Sequence, residues 1–257
     1  MTEDRPAEIT TPERLPVRFW DVVLPLLALM AAAVLLIGAM VGLSVYFQRR
    51  GEHLDVAALQ RSVSGVMVAM GGLYLAMLIA IWRVARRRGP ATVSGYFGPF
   101  RIGQFVAGAV LGVLLAAGVI GLMLWLQDAN VVQFNETQTE VDLLSARTPV
   151  EIALTILVVS LLGPLVEELY FRGLLLAWFR RWLWLPLAAL FDAALFALVH
   201  GKDLVHPGRE GLALTLIIGA VGLLNVVFYL RTRSLWMPFA LHMAYNGALF
   251  ASAYLNF

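Results

Sequence analysis

Cysteine is absent from the 257 residues, which excludes disulfides, thiolate nucleophiles and cysteine-ligated metals or clusters. Charge is nearly as scarce. Only 14% of residues are charged against 60% hydrophobic, a balance far too apolar for a soluble domain of this length. Lys202 is the single lysine among 19 basic residues, and with a net charge of +2 the arginines read as a base-composition bias of a bacterial chain, not as a nucleic-acid surface. What remains is carboxylate, imidazole, hydroxyl and amide chemistry in a membrane.

Apolar runs predict an all-α, polytopic membrane bundle of about seven transmembrane helices, at 22–47, 63–82, 102–126, 148–182, 183–200, 211–230 and 235–254. The first run is longer than a signal-peptide core and lacks a small-residue cleavage site after it, so it reads as an uncleaved span. Residues 1–18, polar and carrying Pro6, Pro12 and Pro16, read as a disordered cytosolic tail. The linker 83–101 holds Arg83, Arg86, Arg87, Arg88 and Arg101 with no acid. The linker 127–147 holds Asp128, Glu136, Glu140 and Asp142 against Arg147 alone. The positive-inside rule then puts the first linker and the N-terminus in the cytoplasm, and a bacterial origin would make the membrane the inner one. Thr148, Pro149 and Glu151 spell a capping box at the start of the fourth span.

Ionisable side chains avoid the cores of spans one, two, three and six, whereas spans four, five and seven hold Glu167, Glu168, Arg172, Asp192, His200 and His242. Charges at membrane depth are costly and mark function, so residues 19–147 read as a scaffold of three spans and 148–257 as a catalytic core of four. Glu168 and Arg172, four apart, fit a same-face ion pair; Glu167 points about 100° away and needs a partner from another helix. Phe196 and His200 share one face of span five, and His242 and Asn246 share one face of span seven.

Together Glu167, His200, His242 and Asn246 supply what peptide hydrolysis needs. Glu167 takes a proton from water with His200 positioning that water, and His242 with Asn246 donates to the oxyanion. Glu167, His200 and His242 equally form a His₂Glu set for a catalytic zinc, and the sequence leaves both readings open.

The order Glu-Glu-x-x-x-Arg, Phe-x-x-x-His, His-x-x-x-Asn on separate membrane helices resembles the CPBP intramembrane proteases, which include type II CAAX prenyl endopeptidases, Abi proteins and bacteriocin-processing enzymes. The likeness covers roughly 148–250, with Pro164, Phe171-Arg172-Gly173 and the turn from Arg231 to Trp236. It implies that Glu167 and His200 activate water, that His242 and Asn246 stabilise the intermediate and that Glu168 and Arg172 support them. It also implies a membrane-associated peptide or protein as substrate, CAAX-type or leader-type, with zinc an open question. Two other readings remain: a proton-coupled transporter using Glu167, Asp192 and the histidines as a relay, and a non-catalytic membrane scaffold or immunity protein.

Asp192 is the residue outside the pattern, a candidate partner for His200, a water-wire member or a structural group. Depth is the other misfit. At 1.5 Å per residue from the inner-face arginines, Glu167 lies roughly 20 Å deep, His200 roughly 25 Å and His242 about 15 Å. Pro238 disfavours helix at Met237, so an extended 234–238 is predicted to raise His242 to its partners.

Overall fold

A computed structural model describes residues 17–51, 58, 62–87, 97–134, 148–201 and 208–255. Expectations for residues 1–16 and for most of the linkers fall outside these. Among the described residues seven helices run in chain order: α1 Phe19–Arg49, α2 Val63–Arg87, α3 Ile102–Asp128, α4 Pro149–Phe179, α5 Leu185–Val199, α6 Arg209–Thr232 and α7 Trp236–Tyr254. The described residues form a membrane bundle of helices, without strands.

Among the described residues five helices, α1 to α4 and α6, are long and apolar enough to cross a membrane. Their outward faces are bare hydrocarbon: Met30, Val34 and Leu35 on α1, and Val110 and Leu114 on α3, are all more than half exposed. That pattern needs lipid as its solvent. The fifth expected span is shorter than predicted. α5 has 15 residues, about 22 Å of helix against a hydrocarbon core of roughly 30 Å. His200 is its C-cap residue, outside the helix proper.

α4 starts where its capping box dictates. The Glu151 N–H donates to Thr148 Oγ1 at 3.2 Å and the Thr148 N–H donates back to Glu151 Oε2 at 3.0 Å. The helix then departs from regular α geometry. Ile156–Leu162 and Phe171–Leu175 are π-helical, bracketing the α-helical turns Gly163–Tyr170 that carry Glu167 and Glu168. Such widened turns concentrate at functional sites.

Small residues let the remaining helices close around α4. A Cβ at Gly108 would stand 2.5 Å from the Met237 carbonyl oxygen, and one at Gly112 would run into that of Leu241, so α3 and α7 meet backbone to backbone. Gly222 on α6 likewise accommodates the Phe196 ring of α5, where a Cβ would approach to 2.9 Å.

The turn between α6 and α7 corrects the expected extended stretch. Arg233 is left-handed (φ 52°, ψ 32°), Leu235 is already in the right-handed helical region, and α7 begins at Trp236 with Pro238 in its first turn. A proline there lacks only an N–H that has no helical acceptor anyway. The depth conflict came from treating Arg233 as a marker of the membrane surface. Ser234 and Leu235 are buried beneath the segment 97–100. The Leu235 N–H donates to the Phe97 carbonyl at 2.9 Å, and Ser234 Oγ lies 3.1 and 3.0 Å from the carbonyls of Phe97 and Pro99. Trp236 packs between the rings of Phe97 and Phe100. Gly98 (φ 66°) makes that approach possible, because a side chain there would strike the Arg233 carbonyl.

The N-terminal tail is not wholly free of the fold. Val17 is buried, and its carbonyl accepts from Arg181 Nη1 at 2.6 Å.

Candidate active site

Glu167 is the centre of the site and finds its partners on other helices, as a carboxylate at this depth must. Tyr74 of α2 donates its hydroxyl to Glu167 Oε1 at 2.8 Å. The other oxygen, Oε2, faces two imidazoles, with His242 Nε2 at 3.7 Å and His200 Nε2 at 3.9 Å. Both distances exceed a direct hydrogen bond and suit groups that share an intervening atom.

The tautomers follow from the far side of each ring. His200 Nδ1 lies 2.6 Å from the Phe196 carbonyl, which accepts only, so Nδ1 carries the proton and Nε2 turns a lone pair toward Glu167. His242 Nδ1 lies 3.0 Å from Glu168 Oε1 and donates to that carboxylate, with Nε2 turned to Glu167. Glu167 Oε2 and the two Nε2 atoms, from α4, α7 and the C-terminal end of α5, therefore converge. The Phe196 ring lies against both imidazoles, at 4.7 Å from His200 and 5.6 Å from His242.

Behind them sits a buried polar brace. Glu168 Oε1 receives Arg172 Nη1 at 3.2 Å, Asn225 Nδ2 at 3.0 Å and His242 Nδ1 at 3.0 Å, tying α4, α6 and α7 together. Arg172 Nη2 donates to the Gly222 carbonyl at 2.7 Å, and its guanidinium stands 4.6 Å over the Phe196 ring. Asp192 is fully buried beside Arg172 Nε at 3.7 Å. Neither of its carboxylate oxygens accepts a hydrogen bond among the described residues, from His200 or any other group.

Asn246 is half-buried, and its Nδ2 donates to the Val159 carbonyl at 3.0 Å inside the first π-helical stretch. An amide nitrogen carries two protons, so one donor remains.

Four expected site residues, Glu167, Glu168, His200 and His242, come together, and Arg172 holds Glu168 from behind. Tyr74 and Asn225 were not anticipated. Each is a polar side chain within an otherwise apolar run, a signal that a search confined to ionisable groups passes over. Tyr74 also shows that the first three spans are more than lipid-facing wall.

Among the described residues, no three His, Asp or Glu side chains are drawn close enough to hold a metal ion as they stand. The donor chemistry of Glu167, His200 and His242 nonetheless fits zinc. Each imidazole presents Nε2 while Nδ1 is anchored to a carbonyl or a carboxylate, the usual support for a ligating histidine.

Fold and site define an integral-membrane protein with a glutamate and two histidines gathered at depth. Residues 149–248 match the family model described as "Type II CAAX prenyl endopeptidase Rce1-like", so the resemblance seen in sequence is borne out over α4 to α7. That family is one of proteases, which supports a protease at this level. The chain is similar to the "Putative membrane peptidase YdiL" of Bacillus subtilis (strain 168), 26% identical over 148 residues that cover 56% of this chain and 55% of that protein. It is also similar to an "Uncharacterized 24.3 kDa protein" of Escherichia coli, 35% identical over 95 residues, 36% of this chain and 41% of that protein. The chain thus spans about half the length of the curated relatives it matches. No solved structure matches it.

Proposed function

We propose that this protein is an intramembrane endopeptidase acting on a membrane-associated peptide or protein of CAAX or leader type. The observation that carries the reading is the convergence of Glu167 Oε2, His200 Nε2 and His242 Nε2, in which the carboxylate and His200 are acceptors facing each other with no donor between them. A water molecule supplies the missing protons. Glu167 Oε2 accepts one as the water oxygen bonds to the scissile carbonyl carbon, with the His200 lone pair orienting the second O–H. Collapse of the tetrahedral adduct breaks the C–N bond, and the proton held by Glu167 passes to the leaving nitrogen.

Charge developing on the carbonyl oxygen needs donors in place beforehand. The second N–H of Asn246 is one. His242 Nε2 is the other, in which role the ring carries a proton on both nitrogens. Glu168 and Arg172 hold α4, α6 and α7 in register around it. Were zinc bound, Glu167, His200 and His242 would hold it, and it would supply Lewis acidity to water and the scissile carbonyl.

Purified protein should cleave members of a panel of membrane-anchored peptides, while Glu167→Ala and His200→Ala should not. Metal analysis of the active preparation, with and without chelator, decides whether zinc takes part. Cleavage retained by Glu167→Ala removes the proposal, as does uptake driven by a proton gradient without any cleavage.

A further inference from the structure

A second feature lies one turn from Tyr74, on the side of α4 that Glu167 does not face. Leu78, Ile81 and Ala85 continue the Tyr74 stripe of α2 and, with Leu165 and Leu169 of α4 and Phe97 at one end, line a half-open cavity of about 440 Å³. Leu165 and Leu169 each lie two residues from Glu167, which turns them roughly 160° away from it. The cavity is therefore separate from the Glu–His cluster. Its wall is hydrocarbon, so at membrane depth water has no partners in it and an apolar chain fills it.

Its rim says which kind of chain. α2 ends in Arg83, Arg86 and Arg87, all exposed, and none of the three is paired with an acid among the described residues. Arg86 is fixed above the groove, its guanidinium 4.7 Å over the ring of Trp82, which itself lines the cavity. Arg83 and Arg87, each two residues from the lining Ala85, turn roughly 160° away from the slot, which leaves Arg86 at its mouth, complementary to an anionic headgroup whose acyl chain descends into the slot.

We propose that this groove is a binding site for an anionic glycerophospholipid, one acyl chain between α2 and α4 and the phosphate at Arg86. The site stands independently of the hydrolytic reading. Because the lipid wedges the two helices joined by the Tyr74–Glu167 hydrogen bond, it also sets the spacing at which that bond forms.

Native mass spectrometry of the full chain in mild detergent tests this directly, with phosphatidylglycerol and phosphatidylcholine of matched acyl chains as probes. The parent should retain phosphatidylglycerol about tenfold better. Arg86→Gln should bind both lipids alike, and Leu165→Trp, which fills the slot, should retain neither, with helical circular dichroism unchanged in both. Equal retention of the two lipids by the parent overturns the proposal without need of any variant. So does displacement of phosphatidylglycerol by an equimolar isoprenoid alcohol, which would assign the groove to a substrate's anchor.

Discussion

Tyr74 decides how Glu167 presents itself. By holding Oε1 at 2.8 Å it leaves Oε2 as the oxygen turned to both imidazoles. Tyr74→Phe keeps the ring and removes only that restraint. A hydrogen bond to a charged group is worth about 1.5–3 kcal/mol, so turnover should fall at least about tenfold. KM should be unchanged, since the hydroxyl is bonded to Glu167; steady-state kinetics on a cleaved peptide separates the two. Glu168 has a different weight. Glu168→Gln leaves the fully buried Arg172 without its nearest countercharge, and breaking such a pair costs about 3–5 kcal/mol. Asp192→Asn should cost much less, because Asp192 stands 3.7 Å from the guanidinium and accepts no hydrogen bond among the described residues. Thermal unfolding in detergent should rank the two variants in that order. At this scale Glu167, His200 and His242 are legible because ionisable groups stand out against hydrocarbon. Tyr74 and Asn225 are not, because their importance comes from which helix lies opposite.

Among the elements, α3 and α7 are held by what two glycines leave out. Gly112→Val would drive a side chain into the Leu241 carbonyl one residue from His242. The helices must then part, so the variant should lose both folded yield on size exclusion and any cleavage, while Gly118→Val, with open space around it, should lose neither. The beginning of α4 was readable to the residue, because a capping box is local chemistry. Its two π-helical stretches were not, since a widened turn persists only where tertiary partners take up the freed carbonyls, as Asn246 does at Val159. The turn at 233–235 was misjudged for a related reason. Helical rise gives depth only from a known surface, and the segment 97–100 covers the point taken as that surface.

For the molecule as a whole, hydropathy alone conveyed a membrane bundle. Hydropathy did not convey how the N-terminal helices serve the family-matched segment. α2 sends Tyr74 into the site and forms one wall of the apolar groove, although α2 itself lies outside residues 149–248. Truncation to that segment should therefore leave Glu167 unsupported. The excised 148–257 fragment, reconstituted in lipid, should show no cleavage of a peptide the full chain cuts, and co-expression with 1–147 should restore it.

The bond between Arg181 and the carbonyl of Val17 joins residues 164 positions apart in the sequence. During synthesis the first helix reaches the translocon long before its clasp exists. Until the ribosome has released the end of the fourth helix, the leading helix packs on α2 but its N-terminal end is unclasped and available to quality-control proteases. Biogenesis then has a checkpoint near residue 181. Nascent chains arrested before it should be clipped near Val17 by an added protease, and those arrested well past it should be spared.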